Sequence, residues 1–268
     1  MSLSAYVLTL NSERHLDEVL SRLRRVSEDV VVLDSGSVDT TVAIAHRHGA
    51  RVHHRPFDDF VRQREHAVRL CRHDWILFVD SDEYLDDALI EEINAMQAAG
   101  MERQGHDAFS IRRDWYVLGK RVHSIYPVRC PDFRVRLYRR DAGGFDAASP
   151  VHEKLVGFAS VGVVTRGSIQ HYTFESHEEF RRKLEIYSPL AVEAMVRRGR
   201  KAGLFRGYVH AVAAFLKSLI IYQGWRDGRV GLVCGLYAYR YTLAKYKGLF
   251  RKRKSLVRSM FPPSNTSD

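Results

Sequence analysis

The 268-residue chain is poor in cysteine: Cys71, Cys130 and Cys234 stand far apart and show neither metal-ligand nor redox spacing. A disulfide framework is excluded as the basis of the fold, and a reducing compartment is the expectation. The opening residues, Met1-Ser2-Leu3-Ser4-Ala5-Tyr6-Val7, show no basic leader and no cleavage site, so they read as a first strand and a cytoplasmic location is expected. No internal repeat is found. Two apolar runs, 208–222 and 230–244, span about 15 residues each and contain charges, short of the ~20 that cross a bilayer. No glycine follows the first strand, where the chain reads Thr9-Leu10-Asn11-Ser12-Glu13-Arg14. That absence argues against the Gly-rich phosphate loop of a sugar nucleotidyltransferase.

Acidic residues are scarce in the last quarter. Residues 197–268 hold 16 Lys and Arg against 2 Asp and Glu, whereas residues 1–196 hold 26 against 30. The net charge of +10 therefore belongs to one end of the chain, and such asymmetry points to an anionic partner.

What is present is a 45% hydrophobic content, enough for a real core in one large domain with an appendage. The division expected is 1–200 and 201–268. The first half alternates strand and helix. Val30-Val31-Val32-Leu33 and Trp75-Ile76-Leu77-Phe78-Val79 are buried-strand runs. Leu16, Val19, Leu20 and Leu23 recur at helical spacing, Thr40 to His48 and Phe60 to Cys71 read as helices, and Ala50-Arg51-Val52-His53 reads as a third strand. Repeated strand–helix–strand units imply an α/β fold with a mostly parallel sheet. Ligands bind such sheets at the carboxyl ends of the strands. Those ends carry Thr9 and Asn11, then Asp34, Ser35 and Ser37, then Asp80 and Asp82. Residues 107–175 suggest a mixed sheet, with Phe133 to Tyr138 strand-like. Residues 177–200 suggest a helix interrupted at Pro189, and two further helices are expected over about 204–222 and 228–248.

Asp80-Ser81-Asp82-Glu83 places three carboxylates in four residues. Their mutual repulsion would be relieved by Mg²⁺ or Mn²⁺, a hard cation that also suits a diphosphate. An acidic first turn of a helix is the plainer reading of those residues alone. Asp34 ends the second strand and Asp39 is placed to cap the helix near Thr40.

Together, Leu33-Asp34-Ser35-Gly36-Ser37-Val38-Asp39 and Trp75-Ile76-Leu77-Phe78-Val79-Asp80-Ser81-Asp82-Glu83 resemble family 2 glycosyltransferases. Thr9-Leu10-Asn11-Ser12-Glu13 is similar to that family's opening motif, and Gln63-Arg64-Glu65-His66-Ala67 to its Arg-led helix. Val151-His152-Glu153 and Gln170-His171-Tyr172 narrow the resemblance to the lipopolysaccharide-core β-glucosyltransferase group. The resemblance covers residues 5 to about 250.

It implies a GT-A fold, inverting transfer, and a nucleotide-sugar donor, with a UDP-sugar foremost. Thr9, Asn11, Asp34, Ser37 and Arg64 would hold the nucleotide, Asp80 the ribose or metal, and Asp82 the metal, with His171 completing the metal site or acting as a structural histidine. The chain departs from many members at Ser35, where a second acidic residue is common. Glu153 is the nominated catalytic base that takes the acceptor hydroxyl proton. Asp132 and Asp146 compete with it, and a structural pairing of Glu153 with Arg134 or Arg136 is the alternative. Lys183 would face the diphosphate from its helix.

The basic, aromatic tail reads as helices that lie in an anionic membrane surface. A glycolipid or lipopolysaccharide-core acceptor fits that placement, on the cytoplasmic face of a bacterial inner membrane. The alternative is a helical hairpin that covers the first domain or makes a dimer. A nucleic-acid partner is not expected, because the tail is apolar at helical spacing and the acidic strand ends would go unexplained.

Overall fold

The computed structural model describes residues 3–146, 154–200 and 203–260, with side chains to residue 252. In chain order the first elements are β1 (Leu3–Thr9), α1 (Glu13–Leu23), β2 (Asp29–Asp34), α2 (Thr41–Arg47), β3 (Arg51–His54), α3 (Phe60–Leu70), β4 (Trp75–Asp80), β5 (Glu83–Leu85) and α4 (Asp87–Ala99). The middle is made of strands: β6 (Ala108–Val117), β7 (Lys120–Val122), β8 (Ser124–Ile125), β9 (Val128–Arg129), β10 (Asp132–Arg139), β11 (Gly144–Phe145), β12 (Leu155–Val156), β13 (Val161–Val163) and β14 (Ile169–Phe174). Helices α5 (His177–Arg197), α6 (Leu204–Leu216) and α7 (Arg229–Met260) follow.

The chain forms two compact units. One comprises Met1–Asp114 and Pro131–Tyr172, the other Trp115–Cys130 and Thr173–Asp268. Helix α5 and the 115–130 segment group with the C-terminal helices, a different division from the one expected at 200/201.

In the first unit, β3-β2-β1-β4 run parallel, and β10 and then β6 continue the sheet antiparallel. Alternation along the strands feeds two cores. Ala5, Val7, Val30, Val32, Leu77 and Val79 face α1, α2 and α4, while Tyr6, Val31, Leu33, Ile76 and Phe78 face α3. The expected helix α1 buries Leu16, Val19, Leu20 and Leu23 completely. Asp59 caps α3 by accepting the Arg62 N–H, and Asp86 caps α4 by accepting that of Leu89. Gly100 ends α4 at φ +91°, a conformation that glycine adopts without strain. The order 3-2-1-4 puts a topological switch point between β1 and β4, where a crevice forms at the strand ends.

In the second unit, the ring of Phe174 stacks on Phe180 at 4.1 Å, and both meet Tyr237 of α7. Helix α5 runs unbroken through Pro189, contrary to the expected interruption. Val192 seats on Gly248 of α7, where a Cβ would lie 2.7 Å away. This packing holds α5 together past the backbone hydrogen bond that proline cannot donate. Helix α6 continues through a π-helical turn, Lys217–Ile221. The continuous helix Leu204–Ile221 has 18 residues, longer than the apolar run read from the sequence, and is long and apolar enough to cross a membrane by length and composition.

Candidate active site

Three strand ends are stitched together at the switch point. The β2 carboxylate, Asp34, is buried and accepts four hydrogen bonds. They come from Thr9 Oγ1 at 2.9 Å, Ser37 Oγ at 2.5 Å, and the Gly36 and Ser37 amides at 2.9 and 2.8 Å. Burial raises its pKa, but the bonds from Ser37, Gly36 and Thr9 outweigh that and hold the carboxyl below its usual range. The β1 end answers from the other side. Asn11 sits at φ +49° and donates its N–H to Ser37 Oγ at 2.8 Å, while its Oδ1 accepts the Val38 N–H at 2.9 Å. Ser12 bonds Ser81 through the two hydroxyls at 3.0 Å, so the β1 loop also grips the β4 turn. Thr9, Asn11, Asp34 and Ser37 thus form one cluster, as the sequence expected them to lie. Asp34 uses its oxygens to shape the loop.

The acidic turn after β4 differs from the expectation of mutual repulsion. Arg64 donates to Asp80 Oδ1 at 2.8 Å, and Arg136 donates to Asp80 Oδ2 at 3.0 Å. Glu83 is fully buried and accepts from Arg136 at 2.6 Å and Arg113 at 2.9 Å. Arg113 in turn grips Asp132 with two nitrogens at 3.0 and 2.8 Å. Desolvation raises the pKa of Asp80 and of Glu83. Attraction by Arg136 and Arg64 overcomes it at Asp80, and attraction by Arg136 and Arg113 at Glu83, leaving both carboxyls below their usual range. Guanidinium groups neutralise these two acids. Both Arg64 and Arg136 also lie over the Phe78 ring, at 4.8 and 4.6 Å from its centre.

The third carboxylate of the turn is Asp82. Its side chain is 29% exposed, and the Nδ1 of His171 lies 3.5 Å from its Oδ1. His171 is paired across β14 and β5 with Glu83, whose Oε1 is 3.6 Å from the same nitrogen. Two further bonds fix the turn: the Tyr172 N–H donates to the Asp82 carbonyl at 3.0 Å, and the Asp80 N–H to Glu83 Oε2 at 3.0 Å. Asp82 and His171, named together from the sequence, are neighbours. Among the described residues, no group of three or more His, Cys, Asp or Glu is arranged to hold a metal.

Glu153 lies outside the described residues. Lys183 belongs to the second unit, where its ammonium donates to the Thr173 carbonyl at 2.5 Å and lies 4.5 Å from the centre of the Phe174 ring. Of the rival bases, Asp132 is engaged by Arg113; of the two suggested partners of Glu153, Arg134 is engaged by Asp132 and Arg136 by Asp80 and Glu83. Sequence reasoning passed over Arg113, read Glu83 only as one of three repelling carboxylates, and gave Ser12 no role. The available signal was a cation placed among apolar neighbours on a strand, as with Arg136 between Val135 and Leu137. Such a cation needs a buried acid.

The sequence model described as "Glycosyl transferase family 2" matches residues 4–144. The lipopolysaccharide core biosynthesis glycosyltransferase LpsC of Rhizobium meliloti (strain 1021) is 29% identical over 239 residues, covering 87% of this chain and 86% of that protein. An uncharacterized glycosyltransferase of Rickettsia felis is 28% identical over 266 residues, covering 96% of this chain and 91% of that protein. Among solved structures, S. aureus TarS 1-349 in complex with UDP-GlcNAc superposes with a TM-score of 0.49 at 16% identity, over 95% of this chain and 92% of that one. The matched segment contains the three stitched strand ends and runs over more than half of the chain, and on that ground the protein belongs to glycosyl transferase family 2.

Proposed function

We propose that the protein is an inverting, metal-dependent hexosyltransferase, carrying a sugar from a nucleoside diphosphate donor, foremost a UDP-sugar, to a lipopolysaccharide-core or other lipid-linked acceptor on the cytoplasmic side of the inner membrane. The observation that carries this reading is the junction of the β1, β2 and β4 ends at the switch point, with Asp82 on its rim. The acceptor class is supported by LpsC, whose name places it in lipopolysaccharide core biosynthesis.

The nucleotide would lie against the Thr9, Asn11, Asp34 and Ser37 loop, with Arg64 held in place by Asp80 beneath it. Asp82 and His171 offer one carboxylate oxygen and one imidazole nitrogen. Two donors suit Mg²⁺ or Mn²⁺, because such an ion keeps most of its positions for phosphate oxygens and water. When bound there, the ion would supply positive charge to the leaving diphosphate. The residues around it keep the turn rigid: Arg136 and Arg113 hold Glu83, and Glu83 holds the Asp80 amide. Glu153 is proposed to take the proton of the acceptor hydroxyl as that oxygen attacks the anomeric carbon.

The test is nucleoside diphosphate release over a panel of donor sugars, with a bacterial lipid extract as acceptor, with and without Mn²⁺ or Mg²⁺. Release is expected to need the cation and to fall at least about 100-fold in Asp82→Asn. In Glu153→Gln it is expected to fall by about 100-fold or more with donor binding intact. Wild-type turnover by Asp82→Asn would overturn the reading. A Glu153→Gln rate within about tenfold of wild type would remove the base assignment alone.

A further inference from the structure

Helix α6 and its π-helical turn present three separate faces. Gly207, Ala211, Ala214 and Ser218 are buried, at helical spacing. Gly207 lies against Tyr246 of α7, where a Cβ would stand 2.7 Å from that residue's Cβ. The small residues thus let the two helices of the hairpin close together. On the opposite side, Phe205, Val209, Val212, Leu216 and Ile220 form an exposed apolar stripe, with Phe205 83% and Ile220 65% accessible. Arg206, His210 and Lys217 are exposed along one edge of that stripe. Trp225, in the turn before α7, is 67% accessible.

The sequence flanking this stripe carries charge of one sign. From residue 197 to 252 the acidic side chains reduce to Asp227. It is buried, and it bonds the His123 ring at 2.6 Å and the His123 N–H at 2.8 Å. Arg197, Arg198 and Arg200 are exposed at the end of α5, Arg226 in the turn before α7, and Arg229, Arg251 and Lys252 on α7.

We propose that the α6 stripe docks the protein on an anionic lipid bilayer, with α6 lying along the surface and its exposed arginines and lysines meeting the headgroups. Exposed apolar side chains this dense on one helix face are unfavourable in water. Burying them at the boundary of headgroups and acyl chains removes that cost, and the flanking cations supply attraction to acidic lipids. A spanning orientation of α6 is the poorer match. Arg206 and Lys217 would both enter the hydrocarbon, and α7, packed on α6, carries Arg240 and Lys247 at exposed positions. The docking stands independently of the proposed donor and acceptor, because it is read with lipid alone.

The experiment is vesicle flotation with the full chain. Vesicles of phosphatidylethanolamine and phosphatidylglycerol are compared with vesicles of phosphatidylcholine, at low and high salt. Binding is expected to the anionic vesicles only, and to weaken as salt rises. Arg206→Gln with Lys217→Gln should weaken it about five-fold for each charge removed. Val212→Glu with Leu216→Glu should abolish it, with an unchanged melting temperature showing that these exposed positions leave the fold intact. Failure to bind anionic vesicles, or full binding by the folded glutamate variant, overturns the proposal. So does preferential capture of a single-stranded RNA oligonucleotide. Resistance of the cellular membrane-bound form to alkaline carbonate overturns the surface orientation in favour of a spanning one.

Discussion

At the residue scale the site is organised by Arg136. This guanidinium reaches Asp80 and Glu83 together, is itself almost fully buried, and lies over Phe78. Desolvated ion pairs add little net stability when whole, but removal of one partner leaves buried charge without compensation. Arg136→Ala is therefore expected to destabilise the protein by about 3–5 kcal/mol, read as a lower urea midpoint. Arg136→Lys should recover part of the loss, since it restores charge but not the planar fork that serves two carboxylates. The same logic explains why Asp80 and Asp82 differ despite their shared motif. Asp80 is paired with two arginines, whereas Asp82 has the imidazole of His171 3.5 Å away.

At the element scale, the parallel half of the sheet was legible because its strands are apolar, β-branched runs and its helices follow simple periodicity. The strand ends were legible for a topological reason: polar residues directly after buried strands collect on one edge. The arginine network was not, because it depends on which antiparallel strands pair and in what register. On β10 the register against β6 slips between Val135 and Leu137, which makes Arg136 the extra residue of a bulge. Such a bulge re-aims a side chain and leaves no periodic mark in the sequence. Pro189 was read as an interruption from local chemistry, and tertiary packing on α7 overrode it. The start of α7 shows the opposite case, a local feature with a strict tertiary cause. A Cβ on Gly231 would come 1.8 Å from the Gly224 carbonyl oxygen. Gly231→Ala should then destabilise the second unit by about 1–3 kcal/mol, despite alanine's better helix propensity, and thermal denaturation followed by circular dichroism checks the sign.

At the scale of the whole molecule, carboxylates set the acid limit. Asp29 is 4% exposed and accepts Ser4 Oγ at 2.6 Å, the Arg72 N–H at 2.8 Å and Arg51 at 2.7 Å. Burial raises its pKa, and these partners lower it further than burial raises it. Asp34, Asp80 and Glu83 are lowered in the same way. A depressed native pKa contributes stability that is complete above the unfolded value, near 4, and is lost as pH falls through the native one. Unfolding free energy should therefore hold level from neutral pH to about 5 and decline steeply below about 4, as measured by urea titration at successive pH values. A profile that stays flat to pH ~2 would contradict these carboxylate pairings.

The interleaving of the two units also has a consequence in time. The 115–130 segment belongs with residues made much later: the Leu118 N–H bonds the Phe174 carbonyl, and His123 meets Asp227, 104 positions downstream. At ribosomal rates of ~5–20 residues per second, that histidine waits about 5–20 s for its partner. Folding of the second unit is thus deferred until the C-terminal helices emerge. A nascent chain stalled before Asp227 would expose Val117, Val122 and Ile125, buried in the finished protein, to chaperone or protease.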